Sequence, residues 1–285
     1  MTAVVLDGVA VAREIYAELK TRIATLKRRG IEPALATLLV GDNPASAVYV
    51  RNKVRRCTEL GLTAELRQLP ADSREAAVAT TLDELNHDER IHGIIVQLPL
   101  PKRLNAQRIS QSIALEKDVD GFNWCNLGAL VEGDPKLAPC TPLGVMRLLD
   151  HARIEIEGRH AVVIGRSSIV GKPLALMLIG RGATVTVCNS KTPDLAAFTR
   201  SADILVAATG RARLVTADMV KAGAAVIDVG ITRRSDGTLA GDVDYERVRE
   251  KAAAITPVPG GVGPMTIAML LANTVSAAER HGKAQ

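Results

Sequence analysis

Aromatic side chains are nearly missing from this sequence: two Phe, three Tyr and one Trp make up 2% of 285 residues. Few rings mean few platforms for base stacking, which counts against single-stranded nucleic acid as a ligand. The interior must instead be filled by Ala, Val, Leu and Ile, and at 47% hydrophobic the chain has enough of them. Cysteine is also sparse. Cys57, Cys125, Cys140 and Cys188 stand far apart, with no C-x-x-C pair and no cluster with the five histidines. That spacing argues against a disulfide framework and against zinc, and we expect no metal. No apolar run is long enough to span a bilayer. Residues 1–7 lack the basic stretch and apolar run of a signal peptide. The expectation is a soluble, cytoplasmic protein without a membrane partner.

What is present is an alternation of apolar runs and helical patterns. Val11, Ile15, Leu19 and Ile23 recur every four residues and predict a helix over 9–29. Strands are expected over 33–40, 63–69 and 92–97, with helices over 45–60 and 73–87 between them. The second half repeats the scheme, with strands over 160–164, 183–188, 203–207 and 224–229 and helices over 171–181 and 193–200. A last helix runs from about 265 to 280. Such βαβ alternation implies mainly parallel sheets covered by helices, an α/β fold. Residues 118–142, rich in Gly and Pro, read as loop and place a domain boundary there or just after. The net charge of +5 is dispersed, with Lys53-Val-Arg-Arg56 its densest cluster, and suits an anionic small molecule as well as nucleic acid.

Val162-Val-Ile-Gly165-Arg-Ser-Ser-Ile-Val-Gly171 follows a strand and opens a helix, the context of a dinucleotide turn. Ser167 replaces the second glycine of G-x-G-x-x-G, and Gly171 comes one position late. Backbone N–H groups at the helix start suit a pyrophosphate. The following strand ends at Val187-Cys-Asn-Ser190-Lys191, with no acid to bond a ribose 2′-hydroxyl. Ser190 and Lys191 here, and Arg166 in the turn, favour NADP over NAD; the bland alternative is that both cations are solvated surface charges.

Three further segments point to chemistry. Tyr49 and Lys53, four residues apart on the second helix, project from one face, with Ser46 a turn earlier. A lysine partly desolvated beside Arg51, Arg55 and Arg56 would lose its proton more readily and serve as a base near neutrality; an exposed helix lysine is the ordinary alternative. Gln97 ends the strand in Val96-Gln-Leu98-Pro99, where parallel strands deliver ligand contacts. In Lys117-Asp-Val-Asp120-Gly, one aspartate is expected to cap the local backbone. The other would bind a heterocycle's N–H and exocyclic amine together. Finally, Thr256-Pro-Val-Pro259-Gly260-Gly261-Val-Gly-Pro264-Met-Thr266 packs three prolines and three glycines into eleven residues. That composition permits no regular helix or central strand. It is a stiff wall for a ligand or a rigid connector.

Together with Pro139-Cys-Thr-Pro142, these segments closely resemble the methylenetetrahydrofolate dehydrogenase/cyclohydrolase family, in the family's order and over almost the whole chain. The resemblance implies an N-terminal catalytic domain, 1–142 joined by the C-terminal helix 265–285, and a Rossmann-type NADP-binding domain, 143–264, with one cleft between them. It implies oxidation of 5,10-methylenetetrahydrofolate with NADP, hydrolysis of the 5,10-methenyl product to 10-formyltetrahydrofolate, and a homodimer. By the same resemblance, Lys53 is the catalytic lysine, Gln97 its partner, Tyr49 the residue stacked near the pterin and Asp120 the pterin's anchor. Ser46, Val96, Leu98, Pro99, Pro259, Gly260, Gly261 and Pro264 face the folate. Gly165, Arg166, Ser167, Ser190 and Ile231 face the cofactor. The competing enzyme reading is another two-domain NAD(P)-dependent dehydrogenase, of amino-acid or shikimate type. The non-enzymatic one is a nucleotide-sensing or RNA-binding module, which the scattered charge and scarce aromatics disfavour.

Overall fold

The computed structural model describes residues 2–234 and 236–284. In chain order the first half carries β1 (Val4–Val5), α1 (Gly8–Arg28), β2 (Ala34–Val40), α2 (Pro44–Leu60), β3 (Thr63–Leu69), α3 (Glu75–His87), β4 (Gly93–Val96), α4 (Ala106–Gln111), α5 (Trp124–Val131) and α6 (Cys140–His151). The second half carries β5 (His160–Ile164), α7 (Gly171–Gly180), β6 (Thr184–Cys188), α8 (Leu195–Thr199), β7 (Ile204–Ala207), β8 (Ala225–Asp228), β9 (Thr232–Arg233), β10 (Leu239–Ala240), α9 (Tyr245–Val248), β11 (Ala254–Ile255) and α10 (Val262–Ala284). The chain divides into two compact units, 14–140 with 269–285, and 1–13 with 141–268. Helices α1, α6 and α10 each contribute residues to both.

The unit built on 14–140 centres on a three-stranded parallel sheet in the order β3-β2-β4. Every residue of β2 is buried, as a strand covered on both faces must be, and its sequence is accordingly an unbroken apolar run with one Thr. Its core packs Leu38, Ile94 and Val40 of the sheet with Val78, Leu82 and Leu85 of α3. Lys117 is itself buried, and its ammonium donates to the carbonyls of Leu85, Asn86 and Asp88 at 3.2, 2.7 and 2.8 Å. It thereby caps the carbonyl end of α3, where a cation is favoured. Asn273 of α10 donates to the carbonyls of Val119 and Ala138 at 2.8 and 2.9 Å. The segment between Lys117 and Gly121 is thus fixed at both ends.

The other unit holds a six-stranded sheet, β1-β11-β8-β7-β5-β6, parallel throughout. Val162, Ile164, Leu205, Val226, Val243 and Ile255 form its apolar centre. The strand β1 was not expected; a two-residue strand is too short to show a period. Residues 118–142, read as loop, contain α5 and the start of α6. Asn123 caps α5 by accepting from Cys125 N–H at 3.0 Å. The final helix begins at Val262 rather than Met265, because Pro264 sits in the first turn, where no helical N–H is required of it. Cys57, Cys140 and Cys188 are buried and Cys125 is exposed, all as free thiols. No helix among the described residues is long and apolar enough to cross a membrane.

Removing the Asn273 amide strands two buried carbonyls. Asn273→Ala is expected to cost about 2 kcal/mol and to lower the urea midpoint followed by circular dichroism. An unchanged midpoint would mean that both carbonyls find other donors.

Candidate functional site

In the smaller-sheet unit, α2 and the end of β4 bring two side chains together. Lys53 Nζ donates to Gln97 Oε1 at 3.1 Å, and Gln97 Nε2 donates to the carbonyl of Leu98 at 2.7 Å. Gln97 therefore bonds the turn backbone with one end of its amide and the lysine with the other. The expected cationic surroundings of Lys53 are not there. Arg55 and Arg56 both turn to Glu59, at 3.7 and 2.5 Å, Arg56 also lies over the Tyr16 ring at 5.4 Å, and Arg51 is exposed. Positions 51 and 55, two residues from Lys53, lie on another face of the helix; Arg56, three residues on, shares its face and is drawn off by Glu59 and Tyr16. The charge that reaches Lys53 is the carboxylate of Asp120.

The two aspartates of the acidic turn have separate tasks. Asp118 is fully buried and accepts from Asn123 N–H at 2.7 Å and Asn126 Nδ2 at 2.9 Å. It is the local cap, and burial raises its pKa in spite of those bonds. Asp120 is half-buried, and its carboxyl accepts no hydrogen bond from the described residues. Burial pushes its pKa up to about 6; Lys53 opposes the rise and Asp118 adds to it. Tyr49 stands exposed one turn before Lys53. Ser46 is buried with its hydroxyl unpartnered, an arrangement that proteins rarely leave unfilled. Val96 is buried at the strand end, and Leu98 and Pro99 continue from it through a cis peptide bond.

In the larger-sheet unit, Gly165 closes the β5 turn. A β-carbon on Gly171 would lie 2.1 Å from the Gly165 carbonyl oxygen, and one on Gly165 would lie 2.3 Å from that of Ala208. Only hydrogen fits at either place, so Gly171, displaced by one residue, still performs the close packing of the motif's last glycine. Ser167 Oγ accepts from the N–H groups of Val170 and Gly171 at 3.2 and 3.3 Å and so fixes the turn that leads into α7. A cavity of about 370 Å³ opens beside this turn, walled by Gly165, Arg166, Ser190, Leu195, Thr209 and Arg211, among others. Lys191, offered by the strand end as a cation, is not among its walls. Arg211 is, and the sequence reading missed it. Its signal was its position, four residues past the end of β7, the strand next to β5.

Two buried carboxylates fasten the loops of this face. Asp242 Oδ2 accepts from Thr209 N–H, Thr209 Oγ1 and Gly210 N–H at 2.5, 2.9 and 3.1 Å. Asp228 accepts from the N–H groups of Gly230, Asp242 and Val243 at 3.0, 2.9 and 2.9 Å. Burial raises the pKa of Asp228 to about 6 despite these bonds, and Asp242 adds to the rise. Neither aspartate was singled out from sequence, because a carboxylate's burial is a tertiary fact. The Pro/Gly-rich segment is tied into the same face. Thr256 Oγ1 accepts from Asp228 N–H at 2.7 Å, and Gly261 N–H donates to Pro257 at 2.9 Å. Pro259 follows a cis bond, Gly260 takes a positive φ of 109°, and a β-carbon on Gly263 would sit 3.7 Å from Ile231 Cδ1. Pro264, half-buried, leads into α10. The structure thus gathers Lys53, Gln97 and Asp120 in one unit, and Gly165, Arg166, Ser190, the 256–264 segment and Ile231 in the other.

Two family descriptions match this chain: "Tetrahydrofolate dehydrogenase/cyclohydrolase, catalytic domain" over residues 6–120 and "Tetrahydrofolate dehydrogenase/cyclohydrolase, NAD(P)-binding domain" over 139–282. The bifunctional protein FolD of Nitrosospira multiformis is 56% identical over 286 residues, covering 100% of this chain and 99% of the relative. The crystal structure of the FolD methylenetetrahydrofolate dehydrogenase/cyclohydrolase from Campylobacter jejuni superposes with a TM-score of 0.96 at 49% identity, covering 98% of this chain and 99% of that one. The Trypanosoma brucei FolD structure, complexed with NADP and an inhibitor, superposes at 0.94 with 42% identity over 98% of both chains. A shikimate dehydrogenase from Thermus thermophilus shares 16% identity at a TM-score of 0.50 over 87% of this chain and 99% of its own, a likeness of fold alone.

The raised Asp120 value has a stability consequence. Its folded pKa of about 6 exceeds the ordinary 3.8, so the protonated form favours the native state at low pH. That advantage is lost as pH rises through 6, above which the ionised carboxyl is a net cost. Asp120→Asn should therefore unfold at a higher temperature than the parent at pH 8 and at the same temperature near pH 4. Equal melting temperatures at pH 8 would refute the shift.

Proposed function

This chain belongs to the tetrahydrofolate dehydrogenase/cyclohydrolase family, and from that premise we propose how its side chains divide the work of the two reactions. The enzyme oxidises 5,10-methylenetetrahydrofolate to the 5,10-methenyl form with NADP and hydrolyses that product to 10-formyltetrahydrofolate. The observation that carries the assignment is the 3.1 Å contact of Lys53 with Gln97, with Asp120 as the nearby charge.

Asp120 holds the pterin. Its carboxyl has no donor among the described residues, and two parallel acceptor oxygens match an N–H and an exocyclic amine side by side. Tyr49, exposed on the face that carries Lys53, stacks on the ring. The unpartnered Ser46 hydroxyl and the backbone through Val96, Leu98 and Pro99 line the same end of β4. In the hydrolytic step, water attacks the cationic methenyl carbon and Lys53 Nζ, in its neutral amine form, takes a proton from it. Gln97 Oε1 holds one N–H of the lysine, which orients the nitrogen. The structure's own test of the cofactor assignment is the cradle at Gly165 and Gly171, which admits no β-carbon, beside a cavity walled by arginine and serine. Gly165, Arg166 and Ser190 would hold NADP there, and Ser167 fixes the turn. Ile231 and the segment Pro259, Gly260, Gly261 and Pro264 would line its nicotinamide end. When bound, NADP supplies the acceptor for the folate hydride; the protein's part in that step is positioning.

The active species is a homodimer in the cytoplasm. Two features support this. None of the four thiols is paired, in keeping with a reducing compartment. The outer edge of β6 has no partner strand among the described residues, and there Val187 is 40% and Ile179 54% exposed.

Lys53→Met should abolish hydrolysis of the methenyl substrate, followed by its absorbance, while NADP affinity stays within about twofold. Hydrolysis at the parental rate would take Lys53 out of the mechanism. Val187→Lys should convert the dimer to monomer in sedimentation velocity, and a persisting dimer would place the interface elsewhere.

A further inference from the structure

We infer that Arg211 is a second specificity residue for the cofactor, pairing with Arg166 around the 2′-phosphate; the inference rests on the NADP assignment above. The residue stands at the mouth of the loop after β7, on the far side of the β5 turn from the strand end that carries Ser190. Arg166, Ser190 and Arg211 wall one cavity of about 370 Å³, and no acidic side chain lines it. Neither guanidinium has a carboxylate partner among the described residues. Other arginines of this unit turn to an acid, as Arg159 does to Glu155, Arg181 to Asp150 and Arg249 to Glu246. Two arginines without an ion pair in the wall of a cavity that has no acidic lining provide positive potential to which the described residues supply no counter-charge.

The backbone beneath Arg211 is held firmly. Asp242 takes three hydrogen bonds from Thr209 and Gly210, Arg211 N–H donates to Thr209 Oγ1 at 3.1 Å, and Thr232 Oγ1 donates to the Gly210 carbonyl at 3.2 Å. Only the side chain of Arg211 remains to be ordered by a ligand. A guanidinium on a fixed stem presents a planar fork that matches phosphate oxygens. A ribose 2′-phosphate carries about two negative charges at neutral pH, which one arginine cannot balance and two can. The apolar walls Ile164, Leu195 and Leu214 give the adenine its contact area in a protein with few aromatic rings.

The test compares the two dinucleotides. Arg211→Gln should raise the KM for NADP about tenfold, the loss of one charge-assisted contact, and leave the KM for NAD within twofold. Arg211→Lys, which keeps the charge without the fork, should fall between parent and Gln. Binding of 2′-AMP and 5′-AMP by calorimetry separates the phosphate from the ring, and only 2′-AMP should weaken in Arg211→Gln. Equal weakening of NADP and NAD would mean that Arg211 stacks on the adenine instead, and no change in either would remove it from the site. Both results overturn the inference while leaving the NADP reading intact. Failure of the parent enzyme to bind NADP would overturn that reading itself.

Discussion

A parallel strand can be followed by another only after the chain has travelled back over the sheet, so every strand of such a sheet ends at the same edge. The three-stranded and six-stranded sheets are parallel throughout, the short β9–β10 pair alone among the described strands being antiparallel, and that one constraint decides where the chemistry can be. The end of β4 carries Gln97; the ends of β5, β6, β7, β8 and β11 carry the glycine turn, Ser190, Arg211, the Gly230 turn and the Pro/Gly segment. The helices between strands have buried faces to fill. What remains free for ligands is the set of short segments at each sheet's carboxyl edge.

Those segments are held by buried polar groups rather than by apolar packing. Asp118, Asp228 and Asp242 take eight hydrogen bonds from N–H, amide and hydroxyl donors, while Lys117 fastens the carbonyl end of α3 and Asn273 two loop carbonyls. A carboxylate buried to hold backbone amides is costly to ionise, and burial raises the values of Asp118 and Asp228 accordingly. The cost is offset by a site that is already shaped before a ligand arrives, which lowers the ordering entropy of binding.

Much of this was legible in the sequence, for identifiable reasons. The strand over 63–69 and the strand over 160–164 were read to the residue, because each carries four β-branched or apolar positions and is bounded by turn residues. Lys53, Gln97 and Asp120 could be named, each at a helix face, strand end or turn. Their proximity could not be derived from spacing; it came from resemblance, and the hydrogen bond shows it for the first two. The failures share one cause. The helix α5 was hidden because Gly121, Gly128 and Gly133 flank or interrupt it, while Asn126, bonded to Asp118, secures it through tertiary contact. The arginines around Lys53 looked like its neighbours in sequence, but Glu59 claims two of them. Arg211 and Asp242 meet the dinucleotide turn only through the sheet order, which places β7 beside β5.

The four thiols have a practical consequence. Three are enclosed by protein, and Cys125 alone meets solvent. It follows directly on the chain's one tryptophan, Trp124, itself exposed at the start of α5, the helix tied to Asp118. A maleimide dye added to the native protein thus has a single address, next to the single indole. Energy transfer from that indole to the dye would reveal its own attachment site without any substitution in the chain.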